Sequence, residues 1–491
     1  MLLLGLSAMI VLTSCQGSAP GVLATTPAST QAGPQRPLSA ASPADLGEFE
    51  VSNDKPLLKV SQEWRPYAQV KASPLGTGLR DATGVPMFKK GSKVYDHPVR
   101  QAQDGLVAME SYRISKDPRY LAQAQLDAQR LLDRKVQRDS AYFFPYPFNF
   151  SLHSKSANLI RAPWYSAMAQ GQALSLFTRL ADVTKKPSWR LAADATFGSL
   201  LLPPDPKDTT LPWVSWVDDD KHLWLEEYAQ QPLAKSDRTF NGHIFAVFGV
   251  WDYYRISQDP RAAEIFAGAL ENVRYHVNRG WRNPQWISQY CMTHAQLDGK
   301  YHGVHVEQMR YLNAITGNSD WSVWSDLFQN DYPKPKFEST VRFVAGKPIG
   351  YQFDAEGTVI AARAVTINAT STAPASHRAR IKGHQGYFYL ITGGSLSGFW
   401  VQEKANAVSV PGLIVSTPYP YPRLASFNAQ PHTGWKLAAS GVKADSRTIT
   451  LGRSSSASFD RSGWIDGVAY VHITNGGLAG RWVPKSGLTL H

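Results

Sequence analysis

Residues 221–254 read KHLWLEEYAQQPLAKSDRTFNGHIFAVFGVWDYY, which sets two adjacent carboxylates, Glu226 and Glu227, beside the phenol of Tyr228. A carboxylate and a phenol together can move protons. A glutamate, ordinarily near a pKa of about 4.3, becomes a useful base when burial raises it, and a tyrosine near about 10 is a natural acid. A core helix has no use for this triplet followed by a long polar loop. The segment is therefore either surface decoration or a loop that delivers a carboxylate and a phenol to a cleft. Neighbouring side chains of an extended segment point to opposite sides, so Glu226 cannot share a site with Glu227 and reads as a supporting or surface group. Asn241-Gly242 fits a turn that needs an unusual backbone conformation. The acidic run at 218–220 reads as a solvated loop, and no metal or other cofactor is expected.

Helical elements must position these groups. From about residue 51 to 334 one signature recurs at helix ends: YRISKDPRY from Tyr112, RLADVTKKPSW from Arg179, YYRISQDPRA from Tyr253 and YLNAITGNSDW from Tyr311. Each copy has an apolar helix end, a Ser or Thr (positions 115, 184, 257 and 316), a polar turn and a new helix start. In AQGQALSLFTRLADVT, Ala169, Ala173, Leu176, Phe177 and Leu180 fall on one helical face. Repeated helical hairpins around an axis predict an (α/α) toroid with a cleft at its inner helix ends; an irregular helical bundle is the alternative.

The chain is multidomain on length alone, because 491 residues exceed the roughly 250–300 that one hydrophobic core supports. The sequence predicts a lipoprotein signal peptide at 1–15, a disordered tether at 16–47, a toroid at 48–334, and two small all-β modules at 335–422 and 423–491. The leader ends in Leu12-Thr13-Ser14-Cys15, which resembles a lipobox, so Cys15 is the expected lipidation site; an ordinary secretory signal is the alternative. Either way the chain is expected to be exported, lipid-anchored on the outer face of a bacterial cell membrane or secreted. Residues 16–47 are rich in Ala, Ser, Thr, Pro, Gln and Gly and have too little apolar surface to order themselves. Cys291 is the second and last cysteine and reads as a small buried apolar residue. The net charge of +12 favours an acidic partner, but there is no Gly-rich phosphate loop, zinc-ligand spacing or long basic block, so nucleic acid is not the expected partner.

After about Pro335 the sequence becomes alternating and rich in Gly, Ser and Thr, and two copies are visible. GYQF at Gly350 matches GWKL at Gly434, and YLITGGSLSGFWV matches VHITNGGLAGRWV, making Trp400 and Trp482 equivalent. The copies resemble small β repeats of secreted envelope proteins of Gram-positive bacteria. Attachment to cell-wall glycan or a plain packing role is expected.

Four motifs, PWYSAMAQGQALSLFTRL, WLEEY, FNGHIFAVFGVWDYY and YHGVHVEQMRYLNAITG, together with YPFNF at Tyr146, resemble the C-terminal catalytic domain of the D-glucuronyl C5-epimerases. The resemblance covers about residues 90–325. It implies conversion of D-glucuronate to L-iduronate within an acidic polysaccharide, and a homodimer. Carried over, the catalytic residues are Glu227 and Tyr228 of EEY, Tyr301 of YH, and Tyr290, which requires a gap. Inverting C5 demands proton-transfer groups on opposite faces and neutralisation of the uronate carboxylate. The family's arginine after the tyrosine is replaced, since Tyr290 precedes Cys291-Met292-Thr293-His294. Arg238, His294, His302 or Arg161 could take its place. Trp164, Gln170, Gln172, Trp224 and Asn241 complete the expected substrate contacts. Trp213 and Trp216 also lie near enough in sequence to stack on sugars or to pack in a core. A uronate lyase, a glycoside hydrolase and a non-catalytic glycan-binding protein are the competing readings.

Overall fold

The structure, a computed structural model, describes residues 41–491. The leader at 1–15 with Cys15, and the tether as far as residue 40, lie outside the described residues. Of the remainder of that tether, Pro43–Leu46 forms a 3₁₀ turn capped by the Ser42 side chain, with Leu46 buried. The chain divides into two compact units, one comprising residues up to 278 together with 291–296, the other comprising 279–290 and 297–491.

The first unit holds three helical hairpins: α1 (Pro98–Ser115) with α2 (Pro118–Arg134), α3 (Ala167–Thr184) with α4 (Pro187–Ser199), and α5 (Phe240–Ser257) with α6 (Pro260–His276). A fourth hairpin, α7 (Gly299–Thr316) with α8 (Ser319–Asp331), lies in the second unit. The recurring sequence signature is the hairpin turn itself. α1, α3, α5 and α7 end on left-handed residues, Lys116, Lys185, Gln258 and Gly317. The preceding Ser or Thr hydroxyl oxygen then accepts from the N–H of the next helix's cap: Ser115 from Asp117 at 3.2 Å, Thr184 from Lys186 at 3.3 Å, Ser257 from Asp259 at 3.2 Å and Thr316 from Asn318 at 3.1 Å. Proline at the first helical position locks three of the four restarts. The fold class is the one expected, (α/α) toroid-type hairpins followed by all-β modules.

Within the first unit α1, α3 and α5 pack side by side. α3 and α5 approach backbone to backbone: a Cβ on Gly171 would lie 2.3 Å from the Ala246 Cα, and one on Gly249 would lie 2.1 Å from the Gly171 carbonyl oxygen. A buried ion cluster joins the three helices further along, with Arg179 of α3 bridging Asp252 of α5 at 2.9 Å and Glu110 of α1 at 3.3 Å.

The two β modules of the second unit have the same seven-stranded antiparallel order. In the first it runs Val359–Ala364, Ile349–Phe353, Trp400–Gln402, Phe388–Ile391, Ser371–Ala379, Lys336–Phe343, Val408–Ser409. In the second it runs Lys443–Thr450, Pro431–Leu437, Arg481–Pro484, Val468–Ile473, Ser455–Ile465, Leu413–Phe427, Leu488–Leu490. Register repeats too, since Tyr351 faces Trp400 and Trp435 faces Trp482. Each module closes its own core. Part of the second module's surface is spent on packing: Asp326 of α8 accepts from the Tyr419 hydroxyl at 2.6 Å and from Ser462 at 3.3 Å, and pairs with Arg423 at 3.4 Å.

Gly249→Ala is expected to destabilise the fold by about 1–3 kcal/mol through overpacking, outweighing the ~1 kcal/mol that alanine gains in helix propensity, as read by denaturant unfolding. Burial holds His97 down to about 3 and His243 down to about 4, against 6.5 for the free imidazole. The unfolded chain therefore binds more protons than the folded one below pH 6.5. Stability is full above that value and falls as the pH drops towards 4, by about 1.4 kcal/mol per unit for each group. Thermal unfolding at pH 7.5 and 5 measures this loss.

Candidate active site

The segment carrying Glu227 is anchored at every residue before it. Strand Leu223–Leu225 pairs with Ser215–Val217. The Leu225 N–H donates to His243 Nδ1 at 3.1 Å, and His243 Nε2 meets the Ala269 carbonyl at 2.9 Å, which together define a neutral ring protonated at Nε2. The Glu226 N–H donates to the Val214 carbonyl at 2.7 Å, and the Ala167 N–H, first in α3, donates to the Glu226 carbonyl at 2.7 Å. Glu227 thus emerges beside the starts of α3 and α5.

Its carboxylate lies on the first turn of α5. Asn241 Nδ2 donates to Glu227 Oε2 at 3.4 Å, and a Cβ on Gly242 would stand 2.2 Å from that same oxygen. Asn241-Gly242 is accordingly not a turn, as the sequence suggested, but the opening of a helix. Glycine is required there because Glu227 occupies the space a side chain would fill. The positive end of a helix favours a negative charge at this place. Glu227 is 7% exposed. The buried Tyr146 phenol is pushed well above its usual range, by burial first and then by the charge of Glu227.

Glu226 is not a surface group but fully buried. Its carboxyl meets the N–H groups of Arg238 at 3.1 Å and Tyr228 at 3.4 Å. Burial, then the neighbouring charge of Asp237, raise it to about 8, so it keeps its proton at neutral pH. Asp237 stays ionised despite burial, because hydrogen bonds from His153 and His294 hold its pKa down.

An aromatic wall flanks the segment. Trp164 stacks on Tyr146 at 3.8 Å between ring centroids and donates from Nε1 to the Phe148 carbonyl, and Tyr228 stacks on Phe150 at 5.8 Å. Beyond it opens a cleft of about 470 Å³ lined by Arg161, Trp164, Trp213, Lys235 and His294 among others, with residues 229–231, just after Tyr228, in its wall. Two cations and two indoles in one cleft suit a chain of acidic sugars.

The other expected contacts separate into these surroundings and the core. Gln170 is fully buried and spends its amide on the Tyr142 carbonyl at 2.6 Å, the Ser199 hydroxyl at 2.7 Å and the Phe144 N–H at 3.0 Å, a role in fastening α3 rather than meeting a ligand. Gln172 is equally buried, near the Tyr67 phenol. Trp224 is enclosed and donates to Asp218 at 2.9 Å, so this first member of the acidic run organises the hairpin instead of being merely solvated. Half-buried Arg238 donates from Nε to the Thr293 hydroxyl at 3.2 Å. In the second unit, the rings of Tyr290 and Tyr301 meet tilted by 59° with centroids 4.5 Å apart, and His302 is buried between Ser288 and the Phe328 carbonyl. Sequence reasoning missed His153, Asp237 and His243, which stand in no repeated motif.

Residues 138–330 match the family model described as the D-glucuronyl C5-epimerase C-terminus. The resemblance read from the motifs stands over these residues. Among solved structures, a sugar epimerase from a ruminal bacterium is 11% identical, with a TM-score of 0.36 over 48% of this chain and 59% of that one. Cellobiose 2-epimerase from Bacillus thermoamylovorans is 12% identical, with a TM-score of 0.35 over 48% and 59%. An unsaturated glucuronyl hydrolase specific for heparin is 13% identical, with a TM-score of 0.33 over 48% and 60%. The chain spans less than two thirds of each of these three neighbours.

Gly242→Ala is expected to drive the Glu227 side chain from its seat at a cost of about 1–3 kcal/mol. Denaturant unfolding measures that cost, and a crystal structure of the variant is expected to place the Glu227 carboxylate away from the first turn of α5.

Proposed function

We propose that this protein epimerises uronate residues within an acidic polysaccharide at C5, converting D-glucuronate to L-iduronate. The observation that carries the reading is the seat of Glu227: a carboxylate held by Asn241 and the bare Gly242, a short run of chain from a cleft containing Arg161, Lys235, Trp164 and Trp213. C5 lies alpha to the sugar's own carboxylate, so its proton is removable once that carboxylate is neutralised. Arg161 and Lys235 are the cleft cations able to do this, in the place of the arginine missing after Tyr290. Glu227 exchanges the proton on one face. A phenol serves the other, and its candidates are Tyr228, Tyr290 and Tyr301.

Export by a lipidated Cys15, binding of cell-wall glycan by the β modules and a homodimeric state belong to the same proposal. Each is testable by mass spectrometry of the membrane fraction, by sedimentation with purified wall and by light scattering.

Incubation with a panel of uronic-acid polymers in D₂O is expected to place deuterium at C5 of one of them, read by NMR. Glu227→Gln is expected to slow that exchange by about 10²–10⁴-fold, and among Tyr228→Phe, Tyr290→Phe and Tyr301→Phe the true partner matches it. Ultraviolet absorbance from an unsaturated uronate would show that the carbanion expels its O4 substituent instead, as in a lyase. Absence of exchange with every uronan would leave a protein that binds glycan without turning it over.

A further inference from the structure

We propose that His153, Asp237, Cys291 and His294 bind one divalent transition-metal ion of the zinc class, as a structural site that ties three segments of the first unit together. One ligand atom from each of the four lies within 4.8 Å of all the others. His294 Nδ1 is 2.6 Å from Asp237 Oδ1, His153 Nε2 is 3.1 Å from the same oxygen, and Cys291 Sγ is 3.5 Å from His153 Nε2. Bonds of about 2.0–2.3 Å to a tetrahedral zinc place donor atoms roughly 3.3–3.7 Å apart, so an ion enters this cluster with shifts below about an ångström. Two imidazoles, one thiolate and one carboxylate are a set that zinc favours over calcium or magnesium. Asp237 and Cys291 are fully buried, and their two negative charges cancel those of the ion, so the loaded site puts no net charge into the interior. Binding costs the Cys291 thiol its proton, which is released to solvent.

The backbone around the cluster is shaped for it. Cys291 and Thr239 form an isolated antiparallel bridge, the Met292 N–H donates to the Arg238 carbonyl at 3.1 Å, and the Thr293 N–H donates to the Asp237 carbonyl at 3.2 Å. His153, Arg238 and Ala295, each a ligand or next to one, have φ of 54°, 53° and 48°, a left-handed conformation that non-glycine residues adopt only where surroundings impose it. His294 lines the cleft, which gives the ion a path in. Four protein ligands leave no open position, which marks the site as structural. By fixing Asp237 and Arg238 it fixes the N–H that Glu226 accepts, and so the segment leading to Glu227. The site stands on its own geometry, independent of the reaction proposed above.

The test uses the full-length chain, stripped with a chelator and titrated with Zn(II) and separately with Co(II). Expected are one ion per chain by elemental analysis, proton release, a raised Tm, and a cobalt spectrum with tetrahedral visible bands and a thiolate charge-transfer band. Cys291→Ser is expected to lose the charge-transfer band. His294→Ala, at the partly exposed ligand, is expected to keep the fold by circular dichroism yet weaken zinc binding more than the ~10–100-fold that loss of an outer partner costs. The proposal is overturned if the stripped protein takes up no ion, if cobalt gives an octahedral spectrum without the thiolate band, or if both variants bind as the parent does. Because each readout is metal content or spectrum, a protein inert towards every uronan can still pass or fail.

Discussion

The backbone-to-backbone crossing of α3 and α5 at Gly171 and Gly249 is the constraint on which the rest of the first unit depends. It fixes the separation of the two helices to that allowed by main-chain atoms, and so fixes where their first turns lie. The chain from Val214 to Tyr228 is hung between those turns, through Ala167 at the start of α3 and through Asn241, Gly242 and His243 at the start of α5. A helix pair separated by larger side chains would carry the same residues but would not hold the carboxylate of Glu227 in a definite place. Proton transfer is sensitive to such placement, because a misplacement of about 1 Å can cost ~100-fold in rate.

Two carboxyl groups one residue apart take opposite roles for electrostatic reasons. Glu226 is sealed inside beside Asp237 and keeps its proton, because it lacks the imidazole partners that hold Asp237 ionised. Glu227 faces the positive end of α5 and keeps a sliver of exposure.

Much of the fold was legible in the sequence. The hairpin signature is written in Ser115, Thr184, Ser257 and Thr316 because one hydroxyl performs the same local task at each turn, and local tasks leave local marks. The duplication of the β modules was legible for the same reason, since Gly350, Trp400, Gly434 and Trp482 recur with the strand order they serve. What could not be read were residues whose partners come from far along the chain. Asn241-Gly242 has a turn's composition, and only the approach of Glu227 explains it as a helix start. Gln170 and Trp224 sit in specific-looking motifs yet serve packing. Cys291 looked like one more small apolar residue because His153 and Asp237, its neighbours in space, are 138 and 54 positions away in sequence.

The chain leaves the first unit after residue 278 and returns to it for 291–296 before continuing. On the ribosome this imposes an order of events. The first unit remains incomplete until its six-residue return segment clears the exit tunnel, and the intervening stretch 279–290 emerges before the downstream sequence it packs with has cleared that tunnel. Trp281, fully enclosed in the finished protein against Phe328 and His305, is meanwhile without that cover. That interval is when a nascent chain of this kind is open to misassembly and to capture by a chaperone.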